Sequence, residues 1–149
     1  MSLIFDTNVI YASLDRRDEH HEACRALIES AMEPRIIPAP VIVEVDYFAR
    51  KLGILVELTF LDDLVSGAYH VEELRREDYA RIREICRKYS DSDIGFVDAS
   101  VAAIAERLNE PKIATLDHRH FSLIRPRHAD RFELLPARRR PKRYSGKPR

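Results

Sequence analysis

The sequence predicts an α/β fold: a central, mainly parallel sheet of about five short strands, flanked by helices. Three observations predict it. Short apolar runs alternate with longer segments of helical periodicity, the pattern of strand–helix–strand units. The first run, Leu3-Ile4-Phe5, is apolar at successive positions, as suits a strand covered on both faces. Two of the runs end in a carboxylate, Asp6 and Asp117, and the carboxyl edge of an open parallel sheet is where ligands bind.

Taken in order, Leu3 to Phe5 is the first strand, with Asp6 at its carboxyl end. A short helix follows through Val9, Ile10 and Leu14, broken by Asp15-Arg16-Arg17-Asp18. His20 to Met32 reads as a second helix, with Cys24, Leu27, Ile28 and Met32 at helical spacing, and Pro34 ends it. Arg35 to Pro38 is a short strand confined by Pro38 and Pro40. Pro40 then sits in the first turn of a helix, where its missing N–H costs nothing. Val41, Val45, Phe48 and Leu52 form that helix's apolar stripe, bordered by Glu44, and Gly53 closes it. Ile54 to Val65 is a further helix and Tyr69 to Val71 a third strand. Leu74 to Tyr89 reads as an amphipathic helix with Tyr79, Ile82, Ile85, Cys86 and Tyr89 facing inward. After the polar loop Ser90-Asp91-Ser92-Asp93 comes Phe96 to Leu108, apolar nearly all round and therefore central. Lys112 to Asp117 is the fourth strand and Phe132 to Leu135 the fifth.

Of the 149 residues, 45% are hydrophobic and 34% charged, which describes a globular domain with a core of its own. No run is long and apolar enough to span a membrane, and the first residues do not resemble a signal peptide; a cytoplasmic location is expected. Cys24 and Cys86 are isolated and read as small buried hydrophobes. The formal net charge of zero hides an asymmetry. Residues 137–149 carry 7 basic residues and no acid, which leaves 18 basic against 25 acidic residues in 1–136, a formal charge of −7. The division expected is a folded domain over 1–136 and a basic, unstructured tail over 137–149. Pro141, Gly146 and Pro148 in that tail oppose helix and strand.

Four acids interrupt apolar surroundings. Asp6 and Asp117 end strands, Asp98 lies in the first turn of the most apolar helix, and Glu44 borders a buried helix face. Parallel strands bring their carboxyl ends to one edge, and the next helices begin there, so all four can converge. Each also has a plainer reading: Asp6 and Asp98 as helix caps, Asp117 as a turn residue, Glu44 as a solvated helix residue, and Asp93, in the preceding loop, as a capping acid. Converged carboxylates repel unless a cation intervenes. An all-oxygen set suits Mg²⁺ or Mn²⁺, and no Cys or His pair has zinc spacing. The chemistry such a site supports is phosphodiester hydrolysis.

These residues carry a resemblance. Leu3-Ile4-Phe5-Asp6-Thr7-Asn8, Val43-Glu44-Val45, Gly95-Phe96-Val97-Asp98-Ala99-Ser100 and Ala114-Thr115-Leu116-Asp117-His118-Arg119-His120-Phe121 resemble, in order and spacing, the four motifs of the PIN domain. More narrowly they resemble the VapC toxins of bacterial type II toxin–antitoxin modules. The resemblance covers nearly all of 1–136. It implies a three-layer PIN-like fold and a metal-dependent endoribonuclease that takes Mg²⁺ or Mn²⁺, is inhibited by a cognate antitoxin and commonly forms a homodimer. It implies Asp6 and Asp98 as the surest metal ligands, completed by Asp117 and Glu44. Thr7, Asn8, Ser100 and Thr115 match small polar positions that orient ligands or substrate, and Asp93 matches a less regular one. His118 and His120 read as surface residues on a turn, or as contacts to RNA phosphate.

Other readings are a PIN-type RNA-processing nuclease without an antitoxin, and a non-cleaving module that binds RNA or protein. A haloacid dehalogenase-like phosphatase fits poorly, because Asn8 stands where its second Asp belongs. The basic residues Arg138, Arg139, Arg140, Lys142 and Arg143 are candidates for holding RNA phosphates. The helices Val9–Leu14, His20–Met32 and Val41–Leu52 carry apolar residues enough to offer an antitoxin segment a groove.

Overall fold

Leu3, Ile4 and Phe5 are all buried in the computed structural model, which describes residues 1–138. They form β1 (Leu3–Phe5), the middle strand of a five-stranded sheet. The others are β2 (Arg35–Pro38), β3 (His70–Glu72), β4 (Lys112–Ala114) and β5 (Glu133–Leu135), and the order across the sheet is β3-β2-β1-β4-β5. Every pairing is parallel, so the expected "mainly parallel" sheet is wholly so. Ile4 pairs with Ile36 on one side and with Ile113 on the other. The central strand is thus apolar at every position because helices cover both of its faces.

Seven α-helices connect the strands among the described residues: α1 (Thr7–Leu14), α2 (His21–Ser30), α3 (Ala39–Leu52), α4 (Ile54–Val65), α5 (Arg76–Lys88), α6 (Phe96–Arg107) and α7 (His118–Leu123). The chain moves outward from β1 through β2 to β3, then crosses back through α5 and α6 to β4 on the other side of β1. With right-handed crossovers, α1–α4 cover one face and α5–α7 the other. The direction reverses between β1 and β4, so their carboxyl ends flank a topological switch point, the natural crevice of an open α/β sheet. α6 is the most enclosed helix: Ala99 to Ala105 are buried without interruption. Its small side chains let it lie close to the sheet, and this anchors Asp98 in its first turn.

Several expectations need correction. Met32 is 95% exposed, because α2 ends at Ser30. Tyr79 was expected inside and is 54% exposed; it stacks on exposed Phe96, with ring centroids 6.3 Å apart. Phe48 and Leu52 lie at the open edge of the α3 stripe, where only Val41, Val45 and Ala49 are buried. Cys24 is buried as expected, whereas Cys86 is only half-buried, and both are free thiols. The fourth strand stops at Ala114, and His118 and His120, read as surface residues on a turn, lie in the helix α7.

Candidate active site

Asp6 follows β1 directly and is 3% exposed. Its Oδ1 accepts the Thr7 amide at 2.8 Å, so it caps α1. Its Oδ2 accepts the hydroxyl of Thr115 at 2.8 Å. Thr115 is buried just past β4, and its oxygen also receives the Asp117 amide at 3.0 Å. Asn8 Oδ1 accepts the Leu116 amide at 2.9 Å. The first turn of α1 is therefore tied to the turn after β4, across the switch point. Thr7 turns its hydroxyl the other way and donates to Glu44 Oε1, on α3, at 2.6 Å. Three of the small polar positions thus serve the carboxylates: Thr115 grips Asp6, Thr7 grips Glu44, and Asn8 shapes the turn that carries Asp117.

Asp98 and Asp117 complete the group. Asp98 is the third residue of α6, whose cap is Gly95, so it is free of a capping role. Asp117 caps α7, with Oδ1 accepting the His120 amide at 3.0 Å. The capping reading thus holds at Asp6 and Asp117, and each cap occupies only one carboxylate oxygen. His120 reaches back from α7. Its Nδ1 lies 2.7 Å from Asp117 Oδ2 and 3.3 Å from Asp98 Oδ2. A cavity of about 380 Å³ opens here, with Asp6, Glu44, Asp98 and Asp117 all in its walls. Tyr11 and Phe48 form its apolar side.

Among the described residues no Lys or Arg lines this cavity, and the carboxylates carry the consequence. Burial first, and then the negative charge of Asp98, raise Asp6 to a pKa of about 7 despite its hydrogen bonds from Thr115 and Thr7. Burial and then Asp117 raise Asp98 to about 6, against the pull of His120. These acids resist ionisation together because desolvation and mutual repulsion add. Donor atoms of Asp98, Asp117 and His120 lie within 4.8 Å of one another, a spacing that one ion can bridge. Hard carboxylate oxygens with unmet negative charge fit a divalent cation such as Mg²⁺ or Mn²⁺.

The remaining candidates lie elsewhere. Asp93 is exposed, holds a left-handed backbone (φ 57°) after the 3₁₀ turn Ser90–Ser92, and is not among the cavity residues. Ser100 is fully buried, and its hydroxyl donates to the Phe96 carbonyl at 2.7 Å, so it braces the first turn of α6. Arg138 is the last residue described; Arg139, Arg140, Lys142 and Arg143 lie outside the described residues. His120 was missed as part of the acid group. Its signal was present: an Asp at a helix cap brings the side chain three residues on back toward itself.

The fold and site define a class, a parallel α/β domain with a carboxylate-lined crevice at its switch point. The PIN domain family model matches residues 3–125. "Ribonuclease VapC26" of Mycobacterium tuberculosis is 33% identical over 135 residues, 90% of this chain and 100% of that protein. Among solved structures, Mycobacterium tuberculosis VapC20, described as a sarcin-ricin loop cleaving toxin, superposes with a TM-score of 0.73 at 18% identity, over 80% of this chain and 92% of that one. DNA-bound VapBC from Salmonella typhimurium superposes with a TM-score of 0.67 at 18% identity, over 90% and 98%. The chain belongs to the PIN-domain family, and within it to the VapC proteins.

Proposed function

We propose that this protein is a metal-dependent endoribonuclease, the toxin of a type II toxin–antitoxin module, acting in the cytoplasm on RNA. The observation that carries the reading is the convergence of Asp6, Glu44, Asp98 and Asp117 on one crevice that, among the described residues, no Lys or Arg lines. A divalent ion held by Asp6, Asp98 and Asp117, with Glu44 beside them, would supply an activated water and neutralise phosphate charge. The protein's own part is positional. Thr115 and the Thr7 amide fix both oxygens of Asp6. Thr7 holds Glu44, and the α7 cap holds Asp117. Tyr11 and Phe48 shield one wall from solvent.

The relative at 33% identity is named a ribonuclease, which supports RNA as substrate. The test is direct. Protein purified free of antitoxin should cut RNA with Mg²⁺ or Mn²⁺, leave 5′-phosphate and 3′-hydroxyl ends, and stop in excess EDTA. Undiminished cutting in EDTA sinks the metal requirement.

An antitoxin partner has support of its own. A second cavity, of about 730 Å³, opens among α1, α2, α3 and α4, with Leu14, Ile28, Leu52 and Val56 in its walls. Exposed Tyr47, Ile54, Leu55 and Leu58 lie on the same two helices, α3 and α4. This is where the apolar surplus of the first three helices was expected to receive a folding segment. Solved structures of similar fold include a toxin–antitoxin complex from Klebsiella pneumoniae. Co-expression with the adjacent small open reading frame should relieve growth arrest; no rescue and no co-purification would favour an RNA-processing nuclease without an antitoxin. A homodimer is also proposed, and the exposed apolar hollow around Val43, Leu74, Tyr79 and Phe96 is a surface for it. Light scattering of the purified protein distinguishes dimer from monomer.

A further inference from the structure

We propose that His120 is a direct metal ligand through Nδ1, so that the site is a mixed nitrogen–oxygen centre that takes Mn²⁺ in preference to Mg²⁺. The inference rests on the metal-dependent reading above and deepens it.

Geometry carries it first. His120 Nδ1 lies 2.7 Å from Asp117 Oδ2 and 3.3 Å from Asp98 Oδ2. Two ligands each about 2.1 Å from one ion, at right angles, stand about 3.0 Å apart. The two observed separations bracket that value. The second observation is independent. Nδ1 is buried yet has no aligned hydrogen-bond partner, although a carboxylate oxygen is at contact distance. Hydrogen bonds weaken steeply when the N–H points away from the acceptor. A buried ring nitrogen without an aligned acceptor is costly, and an ion between these groups would satisfy all of them.

The local backbone explains why the ring is there. The His120 amide holds Asp117 Oδ1, which starts α7, and Asp117 Oδ2 is left to meet the His120 ring at 2.7 Å. The ring three residues on then falls on the same side. The aspartate and the histidine are therefore set as a pair by one helical turn, and Asp98 meets them from α6. The chemistry of the donors decides the ion. Mg²⁺ keeps to oxygen ligands and water, whereas an imidazole favours first-row transition ions.

The test needs no RNA. Wild-type protein loaded with Mn²⁺ is measured by pulsed electron paramagnetic resonance, and affinities for Mn²⁺ and for Mg²⁺ are measured by calorimetry. His120→Asn and His120→Ala are treated alike. The expected result is a ¹⁴N coupling of a directly bound imidazole in the wild type, absent from both variants. The Mn²⁺-over-Mg²⁺ preference should fall by at least about tenfold, the least that loss of even an outer-shell partner costs. Mn²⁺ binding without that coupling overturns the proposal, as does coupling that survives in both variants. The wild-type spectrum decides even if a variant folds poorly. Failure of Mn²⁺ and Mg²⁺ alike to bind overturns the metal-dependent reading itself, which keeps the two failures apart.

Discussion

Helix α6 has an acidic cluster at each end, and the two could hardly be more different. At its start, Asp98 joins Asp6, Glu44 and Asp117 around a crevice that no Lys or Arg among the described residues lines. At its end, Arg107 binds Glu72 at 2.8 Å and Asp78 at 3.0 Å, while Arg81 holds Glu106 with two bonds of 2.8 Å. Burial acts on both clusters. At the closed end burial pushes Glu72 up, but Arg107 outweighs it and holds the carboxyl below its usual range. At the open end burial outweighs the hydrogen bonds to Asp6 and the pull of His120 on Asp98, and both carboxyls rise. One cluster is neutralised from within and fastens α5 and β3 to α6. The other keeps its charge conflict, which the proposed cation would relieve.

The largest effect should come from removing charge at the open end. Asp6→Asn or Asp98→Asn keeps size and loses a proposed ligand, so RNA cleavage should fall by more than the roughly 100-fold upper range for outer-shell changes. The folded state should survive, and in EDTA it should melt higher, because a repulsion is gone. Cleavage at the wild-type rate in both variants would mean the site is misplaced. The same operation at the closed end should do the opposite. Arg107→Met leaves buried Asp78 without its partner, at a cost of about 3–5 kcal/mol in urea unfolding, while cleavage by the protein that remains folded is unchanged.

The pH dependence separates the clusters again. Asp6 and Asp98 have folded pKa values of about 7 and about 6, above their ordinary value of 3.8. The folded state therefore holds protons that the unfolded chain has lost, and stability falls as pH rises from about 4 through about 7. For Asp6 alone the shift corresponds to on the order of 4 kcal/mol. In EDTA the protein should melt lower at pH 8 than at pH 5, and Asp6→Asn should remove much of the difference. Glu72 runs the other way: its contribution is lost as pH falls below the carboxylate range. A metal-free melting temperature that is flat between pH 5 and 8 would contradict the repulsion argument. The smallest effect is expected from the tail. Truncation after Ala137 should weaken RNA binding at low salt and flatten its salt dependence, without moving the cut, because phosphate contacts position and do not specify. Equal affinity and equal salt slope would leave the tail without this role.

Much of the open end is legible in the amino-acid sequence. Leu3-Ile4-Phe5 running into Asp6 marks a buried strand and its edge, and the apolar surroundings of Asp98 mark an enclosed helix. Parallel topology then brings the acids together with no further information. The closed end is not legible in the same way. Asp78 and Arg107 are 29 positions apart and each looks like an ordinary surface charge in its own helix. Tyr79 shows the limit of periodicity, since an apolar stripe looks the same whether it meets the core or the solvent. α7 escapes because six residues are too few to show a helical period. His120 is lost with it.

The placement of β5 carries a further consequence. It pairs in parallel with β4, and the Leu135 carbonyl accepts the Thr115 amide at 2.8 Å. The polypeptide therefore leaves the sheet at the same edge as the carboxylates, next to the turn that holds Asp117. Whatever conformation residues 139–149 adopt, they are tethered there, and 11 residues reach at most about 40 Å. A tether makes its own encounter with bound RNA intramolecular, with an effective concentration on the order of millimolar. Moving residues 137–149 to the amino terminus, which enters the sheet at the opposite edge, would keep the composition and net charge and change only the anchor. If the anchor matters, the relocated arm should fail to restore the RNA affinity that the truncation is expected to remove.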